Sequence, residues 1–464
     1  MAAGEPRSRS RTRAASPGGQ RGAGGRTCGT DDVSVGLQRL REDAAAIRQG
    51  ALDKGEDPAV VDEALAADER LRRLRGETDG LKAQRKQVSK RIEVAIRAGS
   101  DPRGPDVAAI RDESTELGRR IEALDAEIGQ VDATLADLLL RIPNPADPDV
   151  PVGGAEASTI VRTWGEPLPR AADGWQRRPH WEVADGLGIF DLAGGAKVAG
   201  SGFPVYRGAG AALQRSLIDF FLQLHITEHG MTEVWPPAVV NEQSARGTGQ
   251  IPDKEDQMYV VTRDGLYLVP TAEVPVTNLH RDEIIDAARL PIRYVAYSPC
   301  FRREAGAAGA KTRGILRVHQ FDKVEMVCFE RPNESNETLE WLTQCAEVCL
   351  QRLGLPYRVK LMATGDMGFV QAKKYDLEVW APGVEDWLEV SSVSNFRDYQ
   401  ARRMNIRWRP DAGARPEVLH TLNGSGLALA RTVAAILEVY QRQDGSVDVP
   451  EPLRPRLGER LTAG

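Results

Sequence analysis

Residues 300–326 have the sequence CFRREAGAAGAKTRGILRVHQFDKVEM, and this stretch decides the fold of the second half of the chain. Two strand-like pieces flank a loop that is rich in glycine and alanine and carries lysine and arginine. β-rich runs precede it at MYVVT (258–262), LYLVP (266–270) and IRYVAYSP (292–299), and amphipathic helices are predicted at 337–353 and 427–443. Strands and helices do not alternate strictly, and no GxGxxG or GxxxxGK motif follows a strand. The patterns favour an α+β fold with a mainly antiparallel sheet over a dinucleotide-binding or P-loop fold.

Three further clusters in this half carry residues suited to binding a polyanion. They are PTAEVPVTN (270–278), EDWLEVSSVSNFRDYQARRMN (385–405) and HTLNGSGLALARTVAAILE (420–438), and the last is interpreted as a strand, a glycine turn and a helix. Arginine offers a planar fork for phosphate oxygens, so Arg302 and Arg431 could hold opposite ends of a triphosphate. The carboxylates Glu304, Glu325 and Glu389 could coordinate Mg²⁺ or bind donor groups of a small ligand. Taken singly, such arginine–glutamate neighbours are more often surface ion pairs.

The segment 33–142 has a helical pattern that contains a coiled-coil seam. Its seam positions alternate steps of four and three, at Ile110, Ser114, Leu117, Ile121, Leu124, Ile128, Val131, Leu135, Leu138 and Ile142. A rougher seam precedes it, at Leu71, Leu74, Leu81, Val88, Ile92 and Ile96. The sequence GSDPRGPD (99–106) between them is a turn signal. We therefore predict two long helices that fold back on each other as an antiparallel hairpin, an arm that projects from the body.

The charge of the chain is unevenly distributed. Its 464 residues include 61 basic and 67 acidic side chains, and the net charge of −6 argues against a uniformly basic nucleic-acid-binding protein. However, residues 70–97 contain ten basic and three acidic side chains, whereas 112–137 contain eight acidic and two basic ones. Complementary flanks could simply pair the two helices, or the basic helix could bind a phosphate backbone. Charge alone leaves both interpretations open.

The N-terminal segment, the apolar runs and the cysteines indicate the environment in which the chain works. Residues 1–31 are rich in glycine, arginine, serine and proline, which predicts a disordered basic tail that either contacts RNA or is dispensable. No apolar run approaches the ~20 residues that span a bilayer, and no secretory signal precedes the arm. The five cysteines form no CxxC pair, so buried thiols and a reducing cytoplasm are expected rather than a metal site.

The arm and the four clusters, in this order, resemble the seryl-tRNA synthetases, a family of class II aminoacyl-tRNA synthetases. The similarity covers about residues 33–450 and includes PNPADPDVPVG (143–153) after the arm, TEVWPPAVVN (232–241) and GTGQIP (247–252). The stretch FRREAG…TRGILRVHQFDKVEM is similar to motif 2 of that class, NGSGLALARTVAAILE to motif 3, and the segment leading into Pro236 and Pro237 to motif 1. The resemblance implies an antiparallel catalytic sheet flanked by helices, preceded by a coiled-coil arm.

The same resemblance implies an activity, its partners and a division of the chain. Members of the family activate L-serine with ATP and Mg²⁺ to seryl-adenylate and transfer the seryl group to the 3′ end of tRNA(Ser), and of tRNA(Sec) where present. A homodimer is implied through motif 1, and neither a membrane nor DNA is expected as a partner. The implied units are a tail (1–31), a tRNA-binding arm (32–142), a linker (143–154) and a catalytic domain (155–464).

Site residues follow from the resemblance position by position. Arg302, Glu325 and Arg431 are implied to be catalytic, with Arg302 on the α-phosphate and Arg431 on the γ-phosphate. The implied serine-binding residues are Thr271, Ala272, Glu273, Arg302, Glu325, Asn423 and Ser425. The implied ATP-binding residues are Arg302, Arg303, Glu304, Val318, His319, Gln320, Phe321, Glu389, Val390, Ser391, Ser392 and Arg431, with Glu389 and Ser392 positioning Mg²⁺. The implied tRNA-binding residues are Arg72, Arg75, Lys82, Arg85, Lys86 and Lys90.

The sequence also bears on two alternatives to this function and on one variation of it. A related ligase that loads an amino acid onto a carrier protein would lack the helical arm. A non-catalytic, tRNA-binding paralogue would be expected to have lost Arg302, Glu325 or Arg431, and this chain has all three. Departures from the family pattern at Arg303 and Ala430 fit a divergent second copy linked to biosynthesis or antibiotic self-resistance.

Overall fold

The computed structural model describes residues 34–172, 174–305 and 313–463. The predicted basic tail (1–31) lies outside the described residues, as does most of the glycine- and alanine-rich loop that follows Glu304. Elements are numbered along the chain below.

The first part of the described chain is helical, as predicted. Two short helices, α1 (Leu37–Glu42) and α2 (Ala44–Asp53), precede two long ones, α3 (Ala59–Arg97) and α4 (Pro105–Leu140). The helix α4 starts with a proline, whose fixed φ and missing N–H suit the first turn of a helix. The predicted break at 99–106 therefore lies between the two long helices, which form the predicted hairpin.

The two seams behave differently along the hairpin. Every predicted seam position of α4 is buried or half-buried, although the helix ends at Leu140 and Ile142 lies just beyond it. In α3 the seam loosens toward the turn, because Ile96 is 39% exposed. The prediction that Ile96 belongs to the seam is therefore wrong, since few partners remain near the turn to cover it.

Ion pairs connect the flanks of the hairpin. Among the described residues, five of them connect α3 and α4, at Arg70–Glu127 (2.8 Å), Arg75–Asp132 (3.1 Å), Lys82–Asp125 (3.3 Å), Arg91–Glu113 (3.0 Å) and Glu77–Arg120 (3.7 Å). This confirms that complementary charge pairs the helices. All ten side chains are more than a third exposed, and such pairs contribute only about 0–1 kcal/mol each, so the buried seam supplies most of the stability.

The rest of the chain contains ten further helices among the described residues. They are α5 (His180–Leu187), α6 (Leu192–Ala199), α7 (Ala209–Thr227), α8 (Glu242–Thr248), α9 (Glu273–Thr277), α10 (Ser335–Arg352), α11 (Thr364–Met367), α12 (Tyr399–Arg403), α13 (Leu429–Val439) and α14 (Arg454–Leu457). The predicted helices at 337–353 and 427–443 correspond to α10 and α13.

Eight strands form the main sheet, in the order β1–β13–β14–β15–β18–β12–β11–β6. They are β1 (Thr159–Trp164), β6 (Thr232–Glu233), β11 (Ile292–Phe301), β12 (Gln320–Glu330), β13 (Tyr357–Leu361), β14 (Lys373–Ala381), β15 (Asp386–Asn395) and β18 (His420–Ala428). Neighbouring strands are antiparallel except β11 and β6, which are parallel. The mainly antiparallel α+β fold is confirmed.

The remaining strands are short and form small sheets or hairpins. They are β2 (Ala171–Ala172), β3 (Trp175–Gln176), β4 (Phe190–Asp191), β5 (Val205–Tyr206), β7 (Val239–Asn241), β8 (Val260–Val261), β9 (Leu266–Leu268), β10 (Ile284–Asp286), β16 (Arg407–Arg409), β17 (Glu417–Val418), β19 (Val447–Asp448) and β20 (Arg460–Leu461).

The strand β12 shows how the sheet is covered on both faces. Its residues Val324, Met326 and Cys328 belong to the main hydrophobic core with α7, α10 and α13, whereas Val327 and Phe329 pack with α9 and α12 on the other face. Side chains alternate along a strand, so the odd-numbered positions of β12 share the face that carries α9. That face is where the cavity described below opens.

The glycine turn predicted within HTLNGSG is wrong. Residues 423–426 lie inside β18, and the helix α13 follows this strand directly. Gly426 is required by close packing, because a Cβ there would lie 2.2 Å from Nε2 of His225, whereas a Cβ on Gly424 would make a tight contact, 3.1 Å from the Val393 methyl groups. Because glycine has no side chain, His225 and Val393 pack directly against the backbone of β18 at these positions.

The base of the arm packs onto the body. Residues of α1–α4 form one hydrophobic cluster with four aromatic or aliphatic side chains of the body, Phe369, Val370, Phe396 and Tyr399. Among the described residues, no helix has the length and apolarity that crossing a bilayer requires.

Truncation of the buried seam should weaken the arm. Leu135 of α4 is fully buried in the basal cluster, so Leu135→Ala should cost about 2–5 kcal/mol and lower the midpoint of the helical melting transition, followed by circular dichroism. Leu52→Ala is the matched control, because Leu52 of α2 is 54% exposed and the substitution should shift the free energy of unfolding by no more than about 0.5 kcal/mol. Equal shifts for both variants would contradict the packing described here.

Candidate active site

A cavity of about 500 Å³ opens on the face of the main sheet that carries α9. Most of the predicted site residues line it: Thr271, Glu273, Arg302, Glu304, Val318, Phe321, Glu325, Glu389, Val390, Ser391, Ser392, Asn423, Ser425 and Arg431. They come from four stretches that are far apart in sequence, and the order of strands β15, β18 and β12 brings them together.

Four predicted residues do not line this cavity. Ala272 is fully buried in the core around α9, and Gln320 is exposed on the opposite side of β12 from Phe321. The guanidinium of Arg303 donates to the backbone oxygen of Asp256.

The ring of His319 also lies away from the cavity. It contacts the hydroxyl of Tyr259, with 2.6 Å between His319 Nδ1 and Tyr259 Oη, and it stacks on Phe203. His319 still supports the site, because its backbone oxygen accepts a hydrogen bond from the Arg302 N–H at 2.9 Å.

The closed end of the cavity holds two buried carboxylates joined by one amide. Nδ2 of Asn423 donates to Glu273 at 2.9 Å and to Glu325 at 3.0 Å. Glu325 also accepts from the Ser425 hydroxyl at 3.2 Å and forms an ion pair with Lys323 at 2.7 Å. Because Oδ1 of Asn423 is buried and has no partner among the described residues, this end of the cavity presents mostly acceptors. It is suited to a ligand with several donor groups.

The register of β12 and β18 produces this cluster. Glu325 is paired with Ser425 across the two strands, and an irregularity in the ladder lies between Lys323 and Glu325. Phe321, Lys323 and Glu325 alternate onto the cavity face with period two. Lys323 was not predicted as a site residue, although the same alternation in VHQFDKVEM indicates that it shares a face with Phe321 and Glu325.

Glu273 is held from behind by Gln400. Nε2 of Gln400 donates to Glu273 at 2.6 Å, and its Oε1 accepts from Thr421 at 2.8 Å. All three side chains are buried. The sequence predicted no role for Gln400 of QARRMN, because nothing along the chain places α12 beside α9.

Burial and, second to it, the charge of the neighbouring Glu325 raise the pKa of Glu273 to about 7, although the hydrogen bond from Gln400 acts to lower it. A group with this pKa exchanges its proton readily near neutral pH. An incoming cation such as an ammonium group would therefore convert Glu273 to the carboxylate at little cost.

The open end of the cavity is cationic. The guanidinium of Arg302 lies over the ring of Phe321 at 5.1 Å, and Arg431 donates to the backbone oxygen of Glu389 at 2.9 Å. Lys374, a further residue that sequence reasoning missed, lines the same region. Burial acts to raise the pKa of Glu389, but Lys374, Arg431 and Arg302 together outweigh it and keep this pKa below its ordinary value.

A β-bulge places Glu389 and Ser392 on the same face. Residues three apart in a regular strand point to opposite faces, but the register between β14 and β15 shifts at Glu378, so that Val390 is the extra residue. One carboxylate and one hydroxyl then face the cavity. Among the described residues, no group of three or more histidine, cysteine, aspartate or glutamate side chains is arranged to hold a metal ion.

The four described cysteines are buried thiols, as predicted. Burial raises the pKa of Cys328 and Cys349, so these groups stay protonated and pack as small apolar side chains. Cys28 lies outside the described residues.

The fold and the cavity together define a class II aminoacyl-tRNA synthetase. Residues 259–440 match the family model described as tRNA synthetase class II core domain (G, H, P, S and T), and residues 36–146 match that of the Seryl-tRNA synthetase N-terminal domain. The chain belongs to the seryl-tRNA synthetase family.

Individual relatives support this membership over nearly the whole chain. The chain is similar to the serine–tRNA ligase of Thermomicrobium roseum, with 52% identity over 92% of this chain and 94% of that protein. The serine–tRNA ligase of Geobacillus kaustophilus is 50% identical over 91% and 98%, respectively. Among solved structures, seryl-tRNA synthetase from Pyrococcus horikoshii complexed with ATP has a TM-score of 0.86 at 36% identity and covers 92% of this chain and 99% of that one.

The raised pKa of Glu273 predicts a pH dependence of stability. In the unfolded chain Glu273 ionises near its ordinary value of 4.5, whereas in the folded protein its pKa is about 7. The unfolded state therefore binds fewer protons between these values, and the folded state loses stability as the pH rises through this window. Glu273→Gln removes the effect, so the melting temperature of the variant relative to the native protein should rise between pH 4.5 and pH 7.

The absolute difference also contains the lost hydrogen bonds, but that offset does not depend on pH. The control is Glu337→Gln on the exposed side of α10, which should not reproduce the slope. A difference that stays constant with pH for Glu273→Gln would contradict the assignment.

Proposed function

We propose that this chain is a serine–tRNA ligase that forms seryl-adenylate from L-serine and ATP and transfers the seryl group to the 3′ end of tRNA(Ser), and of tRNA(Sec) where present. The observation that carries the proposal is the acceptor-rich cluster of Glu273, Glu325 and Asn423 at the closed end of a cavity whose open end is cationic. A small molecule with an ammonium and a hydroxyl group fits the first end, and a triphosphate fits the second.

Serine is selected by groups that need its donors. The carboxylate of Glu273 beside Thr271 takes the ammonium group, and Glu325 with Ser425 takes the side-chain hydroxyl. Alanine keeps the ammonium group but lacks the hydroxyl, so Glu325 and Ser425 would lose the substrate as a hydrogen-bond partner, and sites built to hydrogen-bond a substrate hydroxyl reject the analogue without it by about 10⁴–10⁵-fold. Lys323 supports this selection because its ammonium group keeps the carboxylate of Glu325 in place.

The cationic residues serve the first chemical step. An oxygen of the serine carboxylate attacks the α-phosphorus of ATP, the bond to the bridging oxygen of the β-phosphate breaks, and pyrophosphate leaves. Arg302 neutralises the charge that grows on the α-phosphate oxygens, and Arg431 holds the γ-phosphate. Glu304, which lines the cavity, contacts the adenine, and Phe321 stacks on this base.

Glu389 and Ser392 are the residues that would hold Mg²⁺. This ion commonly takes one or two protein carboxylates and completes its coordination with waters and phosphate oxygens, so the small donor set fits it. When bound, Mg²⁺ supplies positive charge to the triphosphate. In the second step a hydroxyl of the terminal ribose of tRNA attacks the seryl carbonyl carbon, and AMP leaves.

We assign the selection of the RNA to the helical arm (32–142), which a linker (143–154) joins to the catalytic domain (155–464). Of the six arm residues assigned to tRNA, Arg72, Arg75 and Lys82 form ion pairs with acidic side chains. Lys86 and Lys90 are exposed and form no ion pair within the described part of the chain, as is also true of Arg85. These three residues are the ones best placed for a phosphate backbone.

A homodimer in the cytoplasm completes the proposal. Trp235 follows β6 at the edge of the main sheet, contacts the ring of Tyr297 edge-on and is 75% exposed, so this edge presents a large aromatic side chain to its surroundings. It lies in the stretch that resembles motif 1, so we assign this edge to contact with a second copy.

Serine-dependent exchange of pyrophosphate into ATP tests the first step. Among amino acids, serine should support the highest rate, and Arg302→Ala should lower it about 10²–10³-fold because a charge on the reacting phosphate is lost. Arg263→Ala on an exposed turn is the matched control and should leave the rate unchanged. Better exchange with threonine, glycine or alanine would overturn the pocket assignment, and retained exchange in Arg302→Ala would overturn the role of this arginine.

Charging of tRNA(Ser) tests the arm separately. The double variant Lys86→Ala, Lys90→Ala should keep the exchange rate, while kcat/KM for tRNA falls about tenfold or more and its logarithmic dependence on salt becomes less steep by about 1–2. The control is Arg111→Ala with Arg119→Ala, which removes two exposed charges from the acidic helix α4. Equal effects of both pairs on charging would show that α3 carries no particular RNA-binding surface.

A further inference from the structure

The segment 368–372, between α11 and β14, is held by donors that lie outside it and come from the base of the arm and the linker. Lys54, which follows α2, donates from Nζ to the backbone oxygens of Gly368 (2.8 Å), Phe369 (3.2 Å) and Gln371 (2.6 Å). Asn144 of the linker donates from Nδ2 to the oxygen of Val370 (3.0 Å) and from its backbone to that of Phe369 (3.1 Å), and Asp147 N–H donates to the oxygen of Ala372 (2.8 Å). All five carbonyl groups are thus engaged by the arm side.

The same segment forms a wall of the catalytic cavity. Gly368, Val370 and Gln371 line the cavity, while Phe369 and Val370 belong to the hydrophobic cluster of the arm base. The backbone here is neither helix nor strand, and Gly368 has a φ of 96°, a conformation that favours glycine. External hydrogen bonds therefore determine the position of this wall.

The wall is in direct contact with the serine end of the cavity. A Cβ placed on Gly249, which also lines the cavity, would lie 2.4 Å from a methyl group of Val370, so the Val370 side chain packs directly against the backbone of Gly249. The preceding residue, Thr248, accepts a hydrogen bond from Gln400, the side chain that holds Glu273. Displacement of Val370 would be transmitted through three contacts, Val370 with Gly249, Thr248 with Gln400 and Gln400 with Glu273, to the carboxylate assigned to the ammonium group.

We propose that Lys54 is a positioning residue for serine binding, through which the base of the arm fixes the wall at 368–371. Lys54 touches no substrate and acts through this segment. Its side chain is 8% exposed, and three carbonyl oxygens replace the water that its ammonium group has lost. Burial lowers the pKa of Lys54 to about 7, while Glu56 and Asp253 favour the charged form. The inference rests on the proposed function, because serine binding is its readout.

The test is the variant Lys54→Met, which keeps the length and the apolar stem but removes every donor. In pyrophosphate exchange its KM for serine should rise about tenfold or more, while its kcat and its KM for ATP change by no more than about threefold, because the reacting groups are untouched. The matched control is Asp68→Asn, a buried charge of the arm base that pairs with Arg41 at 2.6 Å. It should lower the melting temperature and leave the KM for serine within about twofold of the native value.

Asn144→Ala is the second variant and keeps the proposal testable if Lys54→Met does not fold. It removes the donor to Val370, so the KM for serine should rise in the same direction. A lowered melting temperature with an unchanged KM for serine in each variant that folds would overturn the proposal, because Lys54 would then only fasten the arm. Failure of the proposed function is distinguishable, since the native protein itself would then show no serine-dependent exchange.

Discussion

Two carboxylates in one buried pocket are the constraint on which the rest of the structure depends. Glu273 and Glu325 lie on either side of the Asn423 amide, and a buried charge costs several kcal/mol unless it is paired and hydrogen-bonded. The protein meets this cost differently for the two groups: Lys323 pairs with Glu325, whereas Glu273 has no cation at hydrogen-bond distance among the described residues and its pKa rises to about 7. The carboxylate of Glu325 is therefore fixed by its own cation, whereas Glu273 can accept a cation from a ligand.

This pocket is held by a contact from α12, and α12 in turn contacts the arm. In five residues this helix presents Gln400 to Glu273, while Tyr399 donates to the backbone oxygen of Ile142 at 2.6 Å and Arg403 to that of Leu140 at 2.6 Å. A single helical turn thus joins the end of α4 to the side chains proposed to bind serine. Together with the contacts of Lys54, it makes the base of the arm part of the catalytic body, although the sequence pattern alone marks the whole hairpin as a separate unit.

The elements that local periodicity encodes could be predicted from the sequence. Steps of three and four predicted both arm helices, and the alternation in 320–330 carries Phe321 and Glu325 onto one face. The resemblance added residue roles, and most of those residues line one cavity. What failed was decided by distant neighbours: NGSG is part of a strand because it pairs with β12 and β15, and His319 turns away because Tyr259 and Phe203 hold its ring. Gln400, Lys54 and the bulge at Val390 have no signal along the chain, since their partners are distant in sequence or in the next strand.

The basic side chains of α3 differ in their partners along the helix. Near the base, Arg70 and Arg75 are engaged with acids of α4 and Arg72 with Asp68. Farther along, Lys82 and Arg91 also pair with acids of α4, whereas Arg85, Lys86 and Lys90 are exposed and form no ion pair within the described part of the chain. A polyanion bound by these three side chains would lie away from the residues proposed to bind serine, so its negative charge would not disturb the ionisation of Glu273. The overall charge of −6 conceals these cations, because the acidic residues of α4 offset the basic residues of α3 in the sum.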